Sequence, residues 1–173
     1  MLVLGIDPGS RRTGFCVLAE QGAALAVRDM GVIRPGDDLP LERRLAAIHA
    51  AVADILRSYG PECVAIETVF HGVNTRALVT LGQARGAVLA AAGAEARTLI
   101  ELSPAEIKKA VTGNGQATKE QVAHMVGVLA GPEVRARIAE ARTKSAAMDA
   151  TDALAVAIAA LHRRTAPLGR AQA

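Results

Sequence analysis

Apolar residues fall in short runs early in the chain and at helical spacing later. Leu2 to Ile6 has the composition of a buried strand, Pro8-Gly9-Ser10 turns the chain, and Phe15 to Leu18 and Ala24 to Ile33 supply two further strands of a meander. Pro40 opens a helix in which Leu41, Leu45, Ile48, Val52, Ile55 and Tyr59 recur on one face, and Gly60 stops it. Cys63 to Ile66 follows a full helix, which predicts a strand parallel to the first through a right-handed crossover. A long Ala- and Leu-rich helix over Asn74 to Ala94 contains Gly82 and Gly86 four apart, a spacing that permits close approach of another element. Arg97 to Leu102 is a fifth strand, and Ser103 and Thr118 cap two shorter helices ending near Ala110 and Leu129. A polar, arginine-rich stretch from Pro132 to Lys144 leads into a last helix from about Ala146 to His162. This order predicts an α/β fold, a mixed five-stranded sheet flanked by helices, in a single domain over residues 1–164 with a short, disordered tail over 165–173.

Composition narrows the class. The chain has 173 residues, 51% hydrophobic and 21% charged, which suits a globular domain with a real core. With two Phe, one Tyr and no Trp, that core is aliphatic, and Phe70 stands out. Cys16 and Cys63 lie inside apolar runs, where buried reduced thiols are expected, in a reducing, cytoplasmic setting. The N-terminal run is broken by Asp7 and has no preceding basic region, and Ala153 to Leu161 is short of the roughly 20 apolar residues that cross a bilayer, so no membrane role is expected. A net charge of +3 is compatible with a polyanionic partner without requiring one.

Four acids interrupt segments that should be buried. Asp7 closes the first strand, Glu67 closes the fourth, and Asp149 and Asp152 sit three apart in the apolar last helix. The crossover puts the ends of strands one and four at one sheet edge, and the helical spacing of Asp149 and Asp152 lets both project toward one point. Asp7 before Pro-Gly has an equally good explanation as a turn residue, and the two helical acids as carboxylates at a helix start. Glu67 has no routine structural task, and the four together are hard to explain that way. Gathering four carboxylates costs several kcal/mol unless a cation sits among them. Hard oxygen ligands, with no His- or Cys-rich cluster, suit Mg²⁺ or Mn²⁺, and one or two such ions can drive phosphodiester hydrolysis.

Ile6-Asp7-Pro8-Gly9, Ile66-Glu67 with Phe70 close behind, Gly82-Gln83-Ala84-Arg85-Gly86 and Asp149-Ala150-Thr151-Asp152-Ala153-Leu154-Ala155 resemble, in order and spacing, the RuvC-type Holliday-junction resolvases. The resemblance spans nearly the whole chain. It implies a ribonuclease H-like fold, a homodimer and paired incision of two like-polarity strands at a four-way DNA junction. It further implies that Asp7, Glu67, Asp149 and Asp152 are catalytic, metal-binding acids, that the nicks can be sealed by ligase, and that a branch-migration complex is a partner. Phe70, on the loop after strand four, could stack on an unpaired base or fold back on the core; the resemblance favours stacking. Lys108, Lys109 and Lys119 flank a Gly-rich loop that could hold phosphates, and the resemblance ranks Lys108 and Lys119 as DNA-contacting. The arginines and Lys144 of the 132–144 stretch are better read as a solvated helix.

Three other readings compete, one of them a different ribonuclease H-like nuclease acting on RNA or hybrid duplexes, which would share the acids and be separated by substrate trials. An actin-like ATPase or sugar kinase also begins with a strand and Asp-x-Gly, but needs a second such motif in a second domain, and Asp29-Met30-Gly31 is too close to serve. No nucleotide cofactor is therefore expected. A noncatalytic junction binder would have no use for convergent carboxylates.

Overall fold

The computed structural model describes residues 1–22, 24–68, 75–141 and 148–165. Phe70, His71, Arg142, Lys144 and nearly all of the expected tail lie outside the described residues. The elements run β1 (Leu2–Asp7), β2 (Thr13–Gln21), β3 (Ala24–Ile33), α1 (Leu41–Tyr59), β4 (Cys63–Glu67), α2 (Thr75–Ala94), β5 (Thr98–Leu102), α3 (Pro104–Thr112), α4 (Lys119–Leu129), α5 (Pro132–Ala141) and α6 (Met148–Thr165). The sheet order is β3-β2-β1-β4-β5. β1, β2 and β3 pair antiparallel, whereas β4 runs parallel to both β1 and β5. The expected mixed five-stranded sheet is thus present. β2 is longer than its apolar run predicted because pairing with both neighbours carries it to the hairpin, and the 132–144 stretch is helical over α5.

Each sheet face has its own core, set by the alternation of side chains along the strands. Leu4, Ile6, Val17, Val64 and Ile66 pack against Ile48, Val52 and Leu56 of α1 and Ala84 and Val88 of α2. Val3, Cys16, Leu18, Cys63 and Ala65 face the other way, onto α6, with α3, α4 and α5 behind it. α6 is almost wholly buried from Ala153 to Leu161, which explains why its sequence is apolar all round. α2 differs. It is the one helix among the described residues long and apolar enough to cross a membrane, yet only 22% of its apolar window is buried. Arg85 at its middle is ion-paired with Glu101 of β5, which ties it to the sheet.

α6 reaches the sheet through two glycines. A Cβ on Gly5 of β1 would overlap the Ala153 carbonyl oxygen and stand 2.7 Å from the Ala157 nitrogen; one on Gly14 of β2 would overlap the Asp149 carbonyl. Helix backbone therefore lies directly on strand backbone, closer than any side chain permits. Gly14→Ala is expected to cost about 3 kcal/mol in urea unfolding, because rigid backbone must move. Gly93→Ala, in α2 with open space around it, is expected to gain about 0.5 to 1 kcal/mol from helix propensity.

Candidate active site

Strand alternation brings the first two acids together. Asp7 follows Val3 and Gly5 on the α6 face of β1, and Glu67 follows Cys63 and Ala65 on the same face of β4. Ile6 is in register with Ile66, so the two carboxylates extend from neighbouring strand ends, at the carboxyl edge of the parallel pair. Asp149 and Asp152 lie in the first turns of α6, one turn apart, and the glycine contacts seat that helix end beside β1 and β2. The loop between β1 and β2 is pinned by Thr13, fully buried, whose hydroxyl donates to the Gly9 carbonyl at 2.8 Å.

Asp7, Glu67 and Asp152 line one cleft of about 130 Å³ together with Lys108 and Lys119, walled by apolar side chains of α3, α4 and α6. Two capping boxes place the lysines. Ser103 and Glu106 exchange hydrogen bonds at the start of α3, and Thr118 and Gln121 do so at the start of α4, so Lys119 is the first residue of its helix. Its Nζ lies 3.5 Å from Asp152 Oδ2. Asp149 does not line the cleft. Arg12 Nε stands 3.3 Å from Asp149 Oδ2, near enough for an ion pair, yet no hydrogen bond reaches that buried oxygen.

The charges in this cleft are strained by burial and by one another. Asp7 is pushed up to about 7, first by burial and then by Asp152, Glu67 and Asp149, with Lys119 opposing. Burial, then Asp152, also raises Glu67. The ion pair with Lys119 would by itself hold Asp152 down, but burial outweighs it and Asp152 is raised too. Lys119 is raised, chiefly by Asp152 and then by Asp7. An ammonium group is therefore the local counter-charge to several carboxylates, and it does not balance them.

Among the described residues no three His, Cys, Asp or Glu side chains stand close enough to share one ion. The cleft nonetheless fits a hard divalent cation in its chemistry. Its donors are carboxylate oxygens of Asp7, Glu67 and Asp152, a buried oxygen of Asp149 beside it lacks a hydrogen bond, and Asp7 resists ionising until more positive charge arrives.

The profile of the crossover junction endodeoxyribonuclease RuvC family matches residues 3–160. The chain belongs to the RuvC family. Its relatives include the RuvC of Anaeromyxobacter sp. strain Fw109-5, 40% identical over 97% of this chain and 76% of that protein, and the RuvC of Chlorobaculum parvum, 42% identical over 94% and 82%. Among solved structures, that of T. thermophilus RuvC in complex with a Holliday junction substrate superposes with a TM-score of 0.81 at 33% identity, covering 95% of this chain and 94% of that one. The yeast mitochondrial Holliday junction resolvase Ydc2, 14% identical with a TM-score of 0.69 over 92% and 78% of the two chains, shares the fold. The RuvC architecture is ribonuclease H-like, as the motifs implied. Nucleases of the RuvC family depend on divalent metal ions.

The structure brings Asp7, Glu67, Asp152, Lys108 and Lys119 to one cleft and leaves Asp149 at its margin; Phe70 falls outside the described residues. Sequence reasoning missed Gly5, Gly14, Arg12 and Thr13. A glycine inside an otherwise buried strand run was the available signal for the first two.

Asp7 holds its proton more tightly folded than unfolded, so the stability it contributes is present at low pH and lost as pH rises through about 7. Asp7→Asn removes that loss. Without metal, the variant is expected to be more stable than the parent by about 2 to 4 kcal/mol at pH 8 and nearly equal at pH 4, in urea unfolding. Equal stability at pH 8 would contradict the buried, crowded carboxyl.

Proposed function

We propose that this protein is a Mg²⁺-dependent endodeoxyribonuclease that resolves four-way DNA junctions in recombination and repair, cutting two strands of like polarity. The observation that carries the reading is the cleft in which Asp7, Glu67 and Asp152 meet Lys108 and Lys119, in a chain of the RuvC family. Acids and lysines side by side suit a substrate that is itself a polyanion: the lysines hold its phosphates while the acids need a cation to face them.

Asp7, Glu67, Asp149 and Asp152 are the residues that would hold the metal, as one or two Mg²⁺ ions for which Mn²⁺ can substitute. Bound there, the metal supplies an acidified water and charge for the departing oxygen. The chain's own residues do the rest. Asp7 and Glu67 are fixed by neighbouring strands in register, so their separation does not depend on loop geometry. Asp152 rides on α6, whose position the two glycine contacts determine. Lys119, paired with Asp152 in the free protein, becomes available to a backbone phosphate once the acids hold their metal. Lys108, on α3, faces the same cleft, and Phe70 stacks on an unpaired base at the junction. Hydrolysis leaves nicks that ligase can seal.

The protein works as a homodimer, one protomer for each of the two cut strands. The outer side of α2 supports this: Val79 is 56% exposed, and Gly82 and Gly86 have open space where a Cβ would stand. An apolar helix with that little cover is suited to a twin across a two-fold axis. A branch-migration complex is the expected partner, no nucleotide cofactor is involved, and the setting is cytoplasmic.

The test is a synthetic four-way junction offered beside a linear duplex of the same sequence, with Mg²⁺. Wild type is expected to cut the junction symmetrically and the duplex little. Asp7→Asn is expected to lose cutting by at least roughly a hundredfold while still binding. Equal cutting of both substrates would overturn the junction reading, and an undiminished variant would overturn the metal site.

A further inference from the structure

A second cationic feature lies on the opposite face of the sheet from Lys108 and Lys119. Between the N-terminal ends of α1 and α2 and the β1–β2 loop is a hollow of about 680 Å³, lined among the described residues by Ser10, Arg11, Arg44 and Arg76 over an apolar floor that includes Leu41 and Leu81. No carboxylate is among those lining residues. Arg44 is held in place: its Nη1 donates to the Ser10 carbonyl at 3.2 Å and lies 3.5 Å from the Ser10 hydroxyl. Its Nε is buried and has no hydrogen-bond partner. Three guanidinium groups lining one hollow, with no carboxylate among its lining residues, leave it short of an anionic acceptor.

We propose that this hollow is a second phosphate site, which grips the sugar-phosphate backbone of the DNA whose other contacts are made at the catalytic cleft; the proposal rests on the junction-cutting reading above. Three observations identify the ligand. First, the hollow adjoins the loop that leaves the active site: Ser10 and Arg11, which line it, follow Asp7 on that loop, and Arg12 of the same loop stands beside Asp149. Second, an adjoining hollow of about 500 Å³ shares Arg11 and adds Arg12 and Arg34, so the cations extend along the sheet edge. Here Arg11 pairs with Asp37 at 3.3 Å, but both side chains are about 70% exposed, and such a pair is weak enough to yield to a phosphate. Third, arginines predominate among the polar side chains that line the two hollows among the described residues, and guanidinium groups suit the phosphates of a nucleic-acid backbone.

With α3 and α4 on one face and α1 and α2 on the other, guanidinium and ammonium groups flank the acids from both sides of one sheet edge. DNA straddling that edge is held on each side of the bond to be cut. Arg44 and Arg76 are thereby binding residues that set the path of the strand away from the cleft.

The experiment is junction binding by fluorescence anisotropy, with EDTA present so that nothing is cut, across a salt series. Arg76→Glu, at an exposed position, and the double variant Arg44→Ala with Arg76→Ala are compared with wild type and with Arg57→Ala, at the far end of α1. Each phosphate contact contributes about 0.9 to the slope of log affinity against log salt, so the double variant is expected to bind about five- to twentyfold more weakly with a slope shallower by about 1 to 2. Arg76→Glu should weaken binding at least as much as the loss of one contact, and Arg57→Ala should change neither quantity. Unchanged slopes in both hollow variants, with wild type binding normally, overturn this proposal alone. A wild-type protein that fails to bind the junction overturns the parent reading as well. Thermal stabilisation by inorganic phosphate that vanishes in the double variant while the junction slope stays put would make the hollow a small-anion site and overturn its role in holding DNA.

Discussion

Everything at this site depends on how closely α6 lies on the sheet. Helix packing on strands ordinarily keeps backbones apart by the thickness of two layers of side chains. Here Gly5 and Gly14 remove one layer at two points, and the backbone of α6 at Asp149, Ala153 and Ala157 comes down onto β1 and β2. Asp152 thereby reaches the ends of β1 and β4 instead of standing off above the sheet. With α3, α4 and α5 covering its other side, α6 is buried from Ala153 to Leu161, which requires an apolar composition there and makes Asp149 and Asp152 near its start the exception.

Closeness has an electrostatic consequence. Asp7, Glu67 and Asp152 are drawn into a small cleft with low solvation, and all three resist ionisation. Lys119 offsets part of the repulsion, and Arg12 stands beside Asp149. The fold thus holds its acids in a state less favourable than they would have in water. A protein keeps such an arrangement when another charge completes it. The cations around the rim, on both faces of the sheet edge, have the complementary relation to a phosphate backbone. The site is two interleaved charge patterns, acids inside and bases outside, each lacking its counterpart in the free chain.

Much of this was legible in the residues. The strand order followed from short apolar runs, a crossover helix and a right-handed connection, and Asp7 and Glu67 share a face because strand alternation is strict. The capping residues Ser103 and Thr118 foretold the helix starts that place Lys108 and Lys119. What was not legible depends on contacts between distant segments. Gly5 and Gly14 meet a helix more than 130 residues later in the chain, so their place inside strands signals a close approach without naming what approaches. That Asp149 turns toward Arg12, while Asp152 lines the cleft, depends on the exact rotation of α6, which spacing alone leaves open. The grouping of Ser10, Arg44 and Arg76 likewise exists only after α1 and α2 pack on the same face.

The central claim is that seating α6 on the two glycines assembles a cation site from acids of three elements. Anomalous diffraction from crystals soaked in Mn²⁺ tests it directly. The account predicts a peak among Asp7, Glu67 and Asp152, with the Lys119 ammonium displaced from Asp152. A fully occupied Mn²⁺ elsewhere on the chain, with this cleft empty and Lys119 still on Asp152, would contradict it.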